Sequence, residues 1–315
     1  MLKPALGYVP RVDARQRYRV NTCPLCKKDG FAEFLLYYMF RDKRFATRKC
    51  TSCSFVYVHP RPNKEELSLM YEDEYFLHDG ADFGAHSATD YETAAVKGSV
   101  KFPEILGAIQ KFQPSGDFFE VGCGMGYFLD YVRRAGYSTS GIEFSALGAR
   151  TCRDKFGLEV QCSSLEGFPM KPDRYDVIFM GDVLEHLVDP LAAVEQSRTR
   201  LRSGGILALE VPSQFNSIAG RLAALLYPLA GIRKRMPMPP YHVNEFTPRT
   251  LSSILERAGF KGPKIIQRIK PPDTIALRGN ILEKIAKKSL QYPNYWFTKS
   301  LGILGDRLLG IGIKN

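Results

Sequence analysis

The sequence predicts an α/β chain: a mostly parallel, doubly wound sheet with a small cysteine-bearing module at its N-terminal end. Three observations predict it. Short apolar runs alternate with helical stretches between positions 117 and 211. A glycine-rich turn, Gly122-Cys-Gly124-Met-Gly126, follows the first of those runs, and two Cys-x-x-Cys pairs precede them all. The 315 residues, 44% apolar and 24% charged, suffice for one large domain plus a small module.

Taken in order, the pairs Cys23/Cys26 and Cys50/Cys53 come first, with 23 residues between them. Each such turn points two thiolates at one ion, and two turns complete a tetrahedral zinc site. The separation slightly exceeds usual zinc-ribbon spacing, which a long hairpin over the aromatic stretch 31–40 would absorb. Four thiolates leave no open position, so such a zinc is structural. A redox reading of the pairs lacks the βαβ context it needs. Residues 54–59 read as a strand ending at His59. Cys123, Cys152 and Cys162 have no partner at metal spacing and read as small buried residues.

A connector follows, helical over 64–70 and then rich in tyrosine (Tyr71, Tyr75, Tyr91). Beyond it the periodicity predicts strands over 117–121, 138–144, 158–162, 175–180 and 206–211. The helices between them fall at 127–135, 146–156 and 190–201, with Gly204-Gly205 as a turn before the last strand. Thr247 caps a helix running to 258, with Pro248 at its first position and Gly259 after its end. A strand over 264–269, a helical region and a final strand over 308–313 complete the chain.

In an open α/β sheet, ligands bind beyond the carboxyl ends of the strands, near the point where strand order reverses. The turn at 122–126 falls there, and glycines let a ligand approach the backbone. Its spacing is GxGxG rather than the GxGxxG of dinucleotide folds, since position 127 is Tyr. Glu120 precedes the turn. Glu143 ends the second strand, where a carboxylate accepts ribose hydroxyls.

These residues resemble the class I S-adenosylmethionine-dependent methyltransferase family. The matching segments are FFEVGCGMGYFL (118–129), GIEFS (141–145), YDVIFMGDVLEHLVDP (175–190), SGGILALEVPS (203–213) and HVNEFTPRTLSSILERAGF (242–260). The resemblance implies a Rossmann-like seven-stranded sheet whose last strand, 308–313, inserts antiparallel. It implies S-adenosylmethionine as cofactor, with Gly122, Gly124 and Gly126 at its methionine part, Glu143 on its ribose and Glu120 among the cofactor-binding residues. Ser163, Ser164 and Leu165 then lie against adenine, where the family often has Asp near position 164, and Gly181 and Asp182 border the methyl-donor end.

Methyl transfer is an in-line displacement that needs positioning and removal of a proton. The candidate catalytic residues are His186 and His242. In some relatives a pair like Glu185-His186 binds a divalent metal; the other reading is a structural signature of the turn. His242 resembles a histidine in zinc-module sugar C-methyltransferases, whose motif reads approximately EHxxYF; here Tyr241 replaces the Glu and Glu245 the Tyr. The order of modules is similar too, which implies a sugar or sugar nucleotide as acceptor, or a lipid-linked glycan if the insertion described below meets a membrane. The domains read as a zinc-binding module (1–60), a connector (61–101) and a methyltransferase domain (102–315) with a lid insertion near 213–247. Within that insertion Ile218, Leu222, Leu225, Leu226 and Leu229 recur at helical spacing before Arg233-Lys234-Arg235. This is either a lid or a helix touching a membrane surface.

Two alternatives stay open. An RNA methyltransferase with a zinc ribbon would suit the net charge of +11, although no aromatic-basic RNA signature accompanies it. A non-catalytic binding protein on the same fold would not need the intact glycine turn and both acids. No secretory signal pattern opens the sequence and no apolar run is long enough to span a membrane, so the seven cysteines read as reduced and the location as cytoplasmic, peripheral to the inner face of a membrane if the insertion helix docks there.

Overall fold

The computed structural model describes residues 22–70, 99–169, 171–236, 239–272 and 281–315. Tyr71, Tyr75 and Tyr91 of the connector lie outside them.

Two sheets organise the described residues. The larger has seven strands in the order β11-β12-β8-β7-β4-β5-β6. These are β4 (Asp117–Val121), β5 (Ser138–Glu143), β6 (Glu159–Cys162), β7 (Tyr175–Gly181), β8 (Leu201–Pro212), β11 (Lys264–Arg268) and β12 (Arg307–Ile313). Pairs from β6 through β8 are parallel, whereas β12 runs antiparallel to both β8 and β11. The fold expected from sequence, last strand included, is the fold observed. Phe118, Ile178, Leu207 and Leu309 are all but fully buried, because both faces of a parallel sheet are covered. Those faces carry α2 (Phe102–Gln110), α3 (Tyr127–Arg134), α4 (Ala146–Phe156), α5 (Pro190–Arg200) and α7 (Pro248–Arg257). Asp189 caps α5 through Ala192, and Thr247 caps α7 in a reciprocal pair with Thr250.

One boundary differs from expectation. β8 begins at Leu201, directly after α5, and the Gly204-Gly205 pair sits inside it as an irregularity. Its pairing with β7 jumps from Tyr175↔Leu201 to Val177↔Ile206, and Gly204 takes φ 77°. The glycines thus make a bulge within the strand instead of a turn before it.

The smaller sheet has the order β10-β3-β2-β1-β9. A long hairpin of β1 (Phe31–Phe40) and β2 (Lys43–Cys50) absorbs the wide spacing between the cysteine pairs, and β3 (Val56–His59) joins β2 antiparallel. Its two edge strands come from far downstream: β9 (Lys234–Arg235) beside β1, and β10 (Asn244–Glu245) beside β3. The sheet is therefore not closed within residues 1–60. Helix α1 (Lys64–Met70) follows the sheet, and Met70 packs with Leu36, Phe45 and Val243.

The segment expected to act as a lid divides in two. Helix α6 (Ile218–Leu229) rests on β1 and on α8 (Ile281–Leu301). The return stretch around Tyr241–Glu245 instead meets the turn after β7. Among the described residues no helix is long and apolar enough to cross a membrane.

Candidate active site

Strand order reverses at β4, which has β5 on one side and β7 on the other. The turns leaving β4 and β7 therefore face each other across the crevice where ligands of such sheets bind. Gly122, Gly124 and Gly126 all have positive φ (69°, 55° and 84°), a region that L side chains seldom adopt. Crowding adds to this. A Cβ on Gly122 would lie 2.5 Å from Val183 of the facing turn, and one on Gly126 would lie 2.9 Å from both Cys152 and Leu158. The protein's own packing thus demands glycine at these two positions, beyond any ligand's need for room.

Glu143, 7% exposed, ends β5 and accepts the Gly124 amide through Oε2 and the Ser145 amide through Oε1, each at 2.8 Å. Burial raises its pKa while those backbone amides oppose the rise. Each carboxylate oxygen has two lone pairs, so both keep capacity for hydroxyl donors. Glu120 is 4% exposed, and its Oε2 has no protein partner. Burial, with help from Cys152 and Glu143, pushes its pKa well above the usual carboxylate range. Ser163 donates its amide to the Glu143 carbonyl, which brings residues 163–165 beside the end of β5. The Leu165 side chain is buried in the core, while the Ser164 hydroxyl accepts the Gly167 amide.

Gly181 ends β7. Asp182 follows at φ 56°, its carboxylate bound to Arg307 and, at 3.3 Å, to Lys101. Beneath it Glu210, 1% exposed, pairs with Arg268 at 2.7 Å and Lys101 at 3.1 Å. Burial would raise both acids, but Arg307 and Lys101 outweigh it and hold them below their ordinary values. This cluster escaped the sequence reading, since its cations come from α2's leading turn, β11 and β12, which converge only in the folded sheet.

Glu185, His186 and His242 form a second group, with ligand atoms all within 4.8 Å of one another. His186 Nδ1 lies 2.9 Å from the Tyr241 carbonyl oxygen. A carbonyl only accepts, so Nδ1 carries the proton and Nε2 is the lone-pair nitrogen, 3.8 Å from Glu185 Oε1. The two imidazoles meet edge to face at 4.8 Å. Burial keeps both neutral: His186 is lowered, and His242 is lowered to about 3 with His186 contributing. Glu185 is 1% exposed, neither carboxyl oxygen has a hydrogen-bond partner, and burial pushes its pKa far up.

What fixes this group is also invisible in the linear sequence. Arg61, just past β3, donates to the carbonyls of Val243 (2.6 Å), Leu187 (3.0 Å) and Val188 (2.5 Å). Asn244 Nδ2 reaches the Leu187 carbonyl at 2.7 Å, and Val243 donates its amide to Glu185. The N-terminal sheet and the returning insertion together clamp the turn that bears His186.

The cysteine quartet gathers at the other edge of this region. Cys23 Sγ lies 3.6 Å from Cys53 Sγ, and Cys26 Sγ 3.6 Å from Cys50 Sγ. Four sulfurs at about 2.3 Å from one zinc ion sit about 3.8 Å apart, so the set has the dimensions of a tetrahedral metal site. Of the other cysteines, Cys123 and Cys152 are buried as expected, but Cys162, the last residue of edge strand β6, is exposed.

The description of a methyltransferase domain matches residues 99–263, just over half of the chain. The chain belongs to that family. A probable S-adenosylmethionine-dependent methyltransferase of Mycobacterium tuberculosis is 26% identical over 145 residues, 46% of this chain and 48% of that protein. A ubiquinone biosynthesis O-methyltransferase of a Ruegeria species is 27% identical over 147 residues, 44% of this chain and 58% of that one. The chain spans about half the length of the curated relatives it matches. Among solved structures, an S-adenosylmethionine-dependent methyltransferase of Thermotoga maritima, described as a possible histamine N-methyltransferase, superposes with a TM-score of 0.51 at 20% identity. The match covers 72% of this chain and 96% of that one, and it speaks to the fold alone.

Proposed function

We propose that this chain transfers a methyl group from S-adenosylmethionine to a sugar, a sugar nucleotide or a lipid-linked glycan. The observation that carries this reading is the meeting, at one switch point, of the glycine turn with Glu143 and of the Glu185–His186–His242 group. Family membership supports the donor. The joining of a cysteine-quartet module to the methyltransferase domain through β10 and Arg61 supports the acceptor class, because it is the module order of the sugar enzymes the sequence resembles. An RNA acceptor is the competing reading.

In this reading Glu143 holds the ribose hydroxyls, the 122–126 turn and Glu120 line the methionine part, residues Ser164 and Leu165 border adenine, and Asp182 closes the donor end. The bound donor supplies an electrophilic methyl carbon on a sulfonium. The acceptor's lone pair forms the new bond as the carbon–sulfur bond breaks, and the acceptor's proton leaves to solvent or to a base. His242 and His186, held neutral by burial, are placed to orient the acceptor and take that proton. The cysteine quartet holds a structural zinc ion. We assign residues 1–60 to that module, 61–101 to the connector and 102–315 to the methyltransferase domain.

The orphaned Glu185 carboxyl favours a second use of the same group. With Nδ1 of His186 tied to a carbonyl, its Nε2 and the Glu185 oxygens form the donor set of a divalent cation. Metal analysis separates the two uses: one bound ion per chain fits the quartet alone, whereas a second ion lost in Glu185→Gln fits the cation.

The acceptor is tested by incubating the chain with methyl-labelled donor and a panel of nucleotide sugars, lipid-linked sugars and ribosomal RNA. Label entering a sugar-bearing acceptor, and at least about a hundredfold less with His242→Ala, supports the reading. Label entering RNA alone overturns it.

A further inference from the structure

Helices α6 and α8 pack together at the end of the molecule that carries the N-terminal sheet. Their inner faces are tied by a polar contact: the Ile218 amide donates to Asn294 Oδ1 at 2.7 Å. The outward side is different. Leu222, Leu225, Leu226 and Leu229 form one stripe on α6, 42–80% exposed. On α8, Ile285, Tyr292 and Trp296 share a face at helical spacing, 48–61% exposed. With Ile232, Leu301 and Ile303 these make ten of the twelve exposed large apolar side chains among the described residues. Monomeric water-facing surfaces seldom gather apolar groups this way.

The same two segments are rich in positive charge in the sequence. Residues 218–235 hold Arg221, Arg233, Lys234 and Arg235 and no acid; residues 281–301 hold four lysines against Glu283. These two segments therefore carry a net +7 of the chain's +11. Arg233 pairs with Glu33, and Lys299 lies 3.9 Å from Glu104, so part of that charge is met within the protein. Lys234 and Arg235, just beyond the leucine stripe in the chain, are exposed.

We propose that the α6–α8 surface docks in the plane of an anionic lipid bilayer. Leucines, a tryptophan and a tyrosine flanked by lysine and arginine make up the composition of helices that lie at the headgroup boundary. The 12 residues of α6 span about 18 Å, short of the roughly 30 Å hydrocarbon core, so the helix lies along the interface. A second copy of the chain would bury the leucines but bring two strongly positive surfaces together. A nucleic acid would meet the charge but leave the leucines in water. This docking stands independently of the acceptor proposed above.

Trp296 is the chain's single tryptophan and lies in this surface, so its emission reports the docking directly. The full chain is mixed with vesicles of phosphatidylcholine, with or without phosphatidylglycerol, while sedimentation and tryptophan fluorescence are followed. We expect co-sedimentation and a blue shift with the anionic vesicles, weakened by salt. Leu225→Glu/Leu229→Glu, both at exposed positions, should reduce vesicle affinity about tenfold or more at an unchanged melting temperature. No sedimentation, or sedimentation without a shift in Trp296 emission, overturns the proposal. So does wild-type dimerisation that the double variant abolishes without any vesicle binding.

Discussion

Glu245 shows how place sets the chemistry of a single residue. It is 5% exposed on edge strand β10, and its Oε1 lacks a partner. Burial alone lifts its pKa from 4.5 to about 8. The folded chain thus keeps a proton that the unfolded chain releases, and the associated stability is full below about pH 4.5 and is lost as pH rises through 8. Within that window the loss reaches about 1.4 kcal/mol per pH unit at most. Glu245→Gln cannot ionise, so its melting temperature should exceed the wild type's at pH 8 and match it near pH 4. An equal difference at both pH values would contradict the assignment. In the sequence Glu245 is merely a departure from a resembled motif. Its burial is not legible there, because the strand it pairs with, β3, lies far upstream. Glu143 is the opposite case. Its position at a strand end beside a glycine turn marks it in the linear text, and β5 does end at it, with the Gly124 amide on its carboxylate.

At the scale of elements, the turn bearing His186 is held by groups from outside the strand that leads to it. Arg61 satisfies three of the carbonyls around it. Arg61→Ala removes those donors, leaves the glycine turn and Glu143 untouched, and should slacken only the acceptor end. We expect turnover to fall about a hundredfold, as misplacement of a catalytic group by about an ångström does, at unchanged affinity for the donor. A matching loss of donor affinity would show that Arg61 supports the whole fold instead. The sequence gives no hint of this clamp, since β9 and β10 are two residues each and carry no periodicity. The strands from β4 to β7, by contrast, are legible to within a residue or two from apolar runs punctuated by glycine and proline. The start of β8 is not, because a bulge and a turn share the same glycine signature.

Across the whole molecule, the cysteine quartet and the large sheet are parts of one body. Cys23, Cys26 and Cys50 belong to the same hydrophobic core as Leu191, Phe246, Leu251 and Ile254. Metal held by the quartet should therefore stabilise the large domain as well as its own hairpin. Stripping the ion with a strong chelator, or substituting Cys26→Ser, should lower a single melting transition by several degrees. An early transition for the hairpin alone, with the main one unmoved, would show instead that the two parts unfold separately. The sequence displays both parts but not their union, which depends on side chains meeting across segments with no shared pattern. It hides the contact of α6 with α8 for the same reason, since some fifty residues of chain separate the two helices.

The crevice at the switch point is the proposed S-adenosylmethionine site. The most direct measurement is the melting temperature of the full chain with S-adenosylmethionine, its demethylated product or NAD, beside Glu143→Gln. Ligand at a hundredfold excess over its dissociation constant adds about 2.7 kcal/mol, a shift of about 4 °C for a chain of this length. We predict that shift with the two adenosyl ligands and not with NAD, and a smaller one in the variant. No shift with either adenosyl ligand in folded protein, or one that Glu143→Gln leaves whole, would contradict the account.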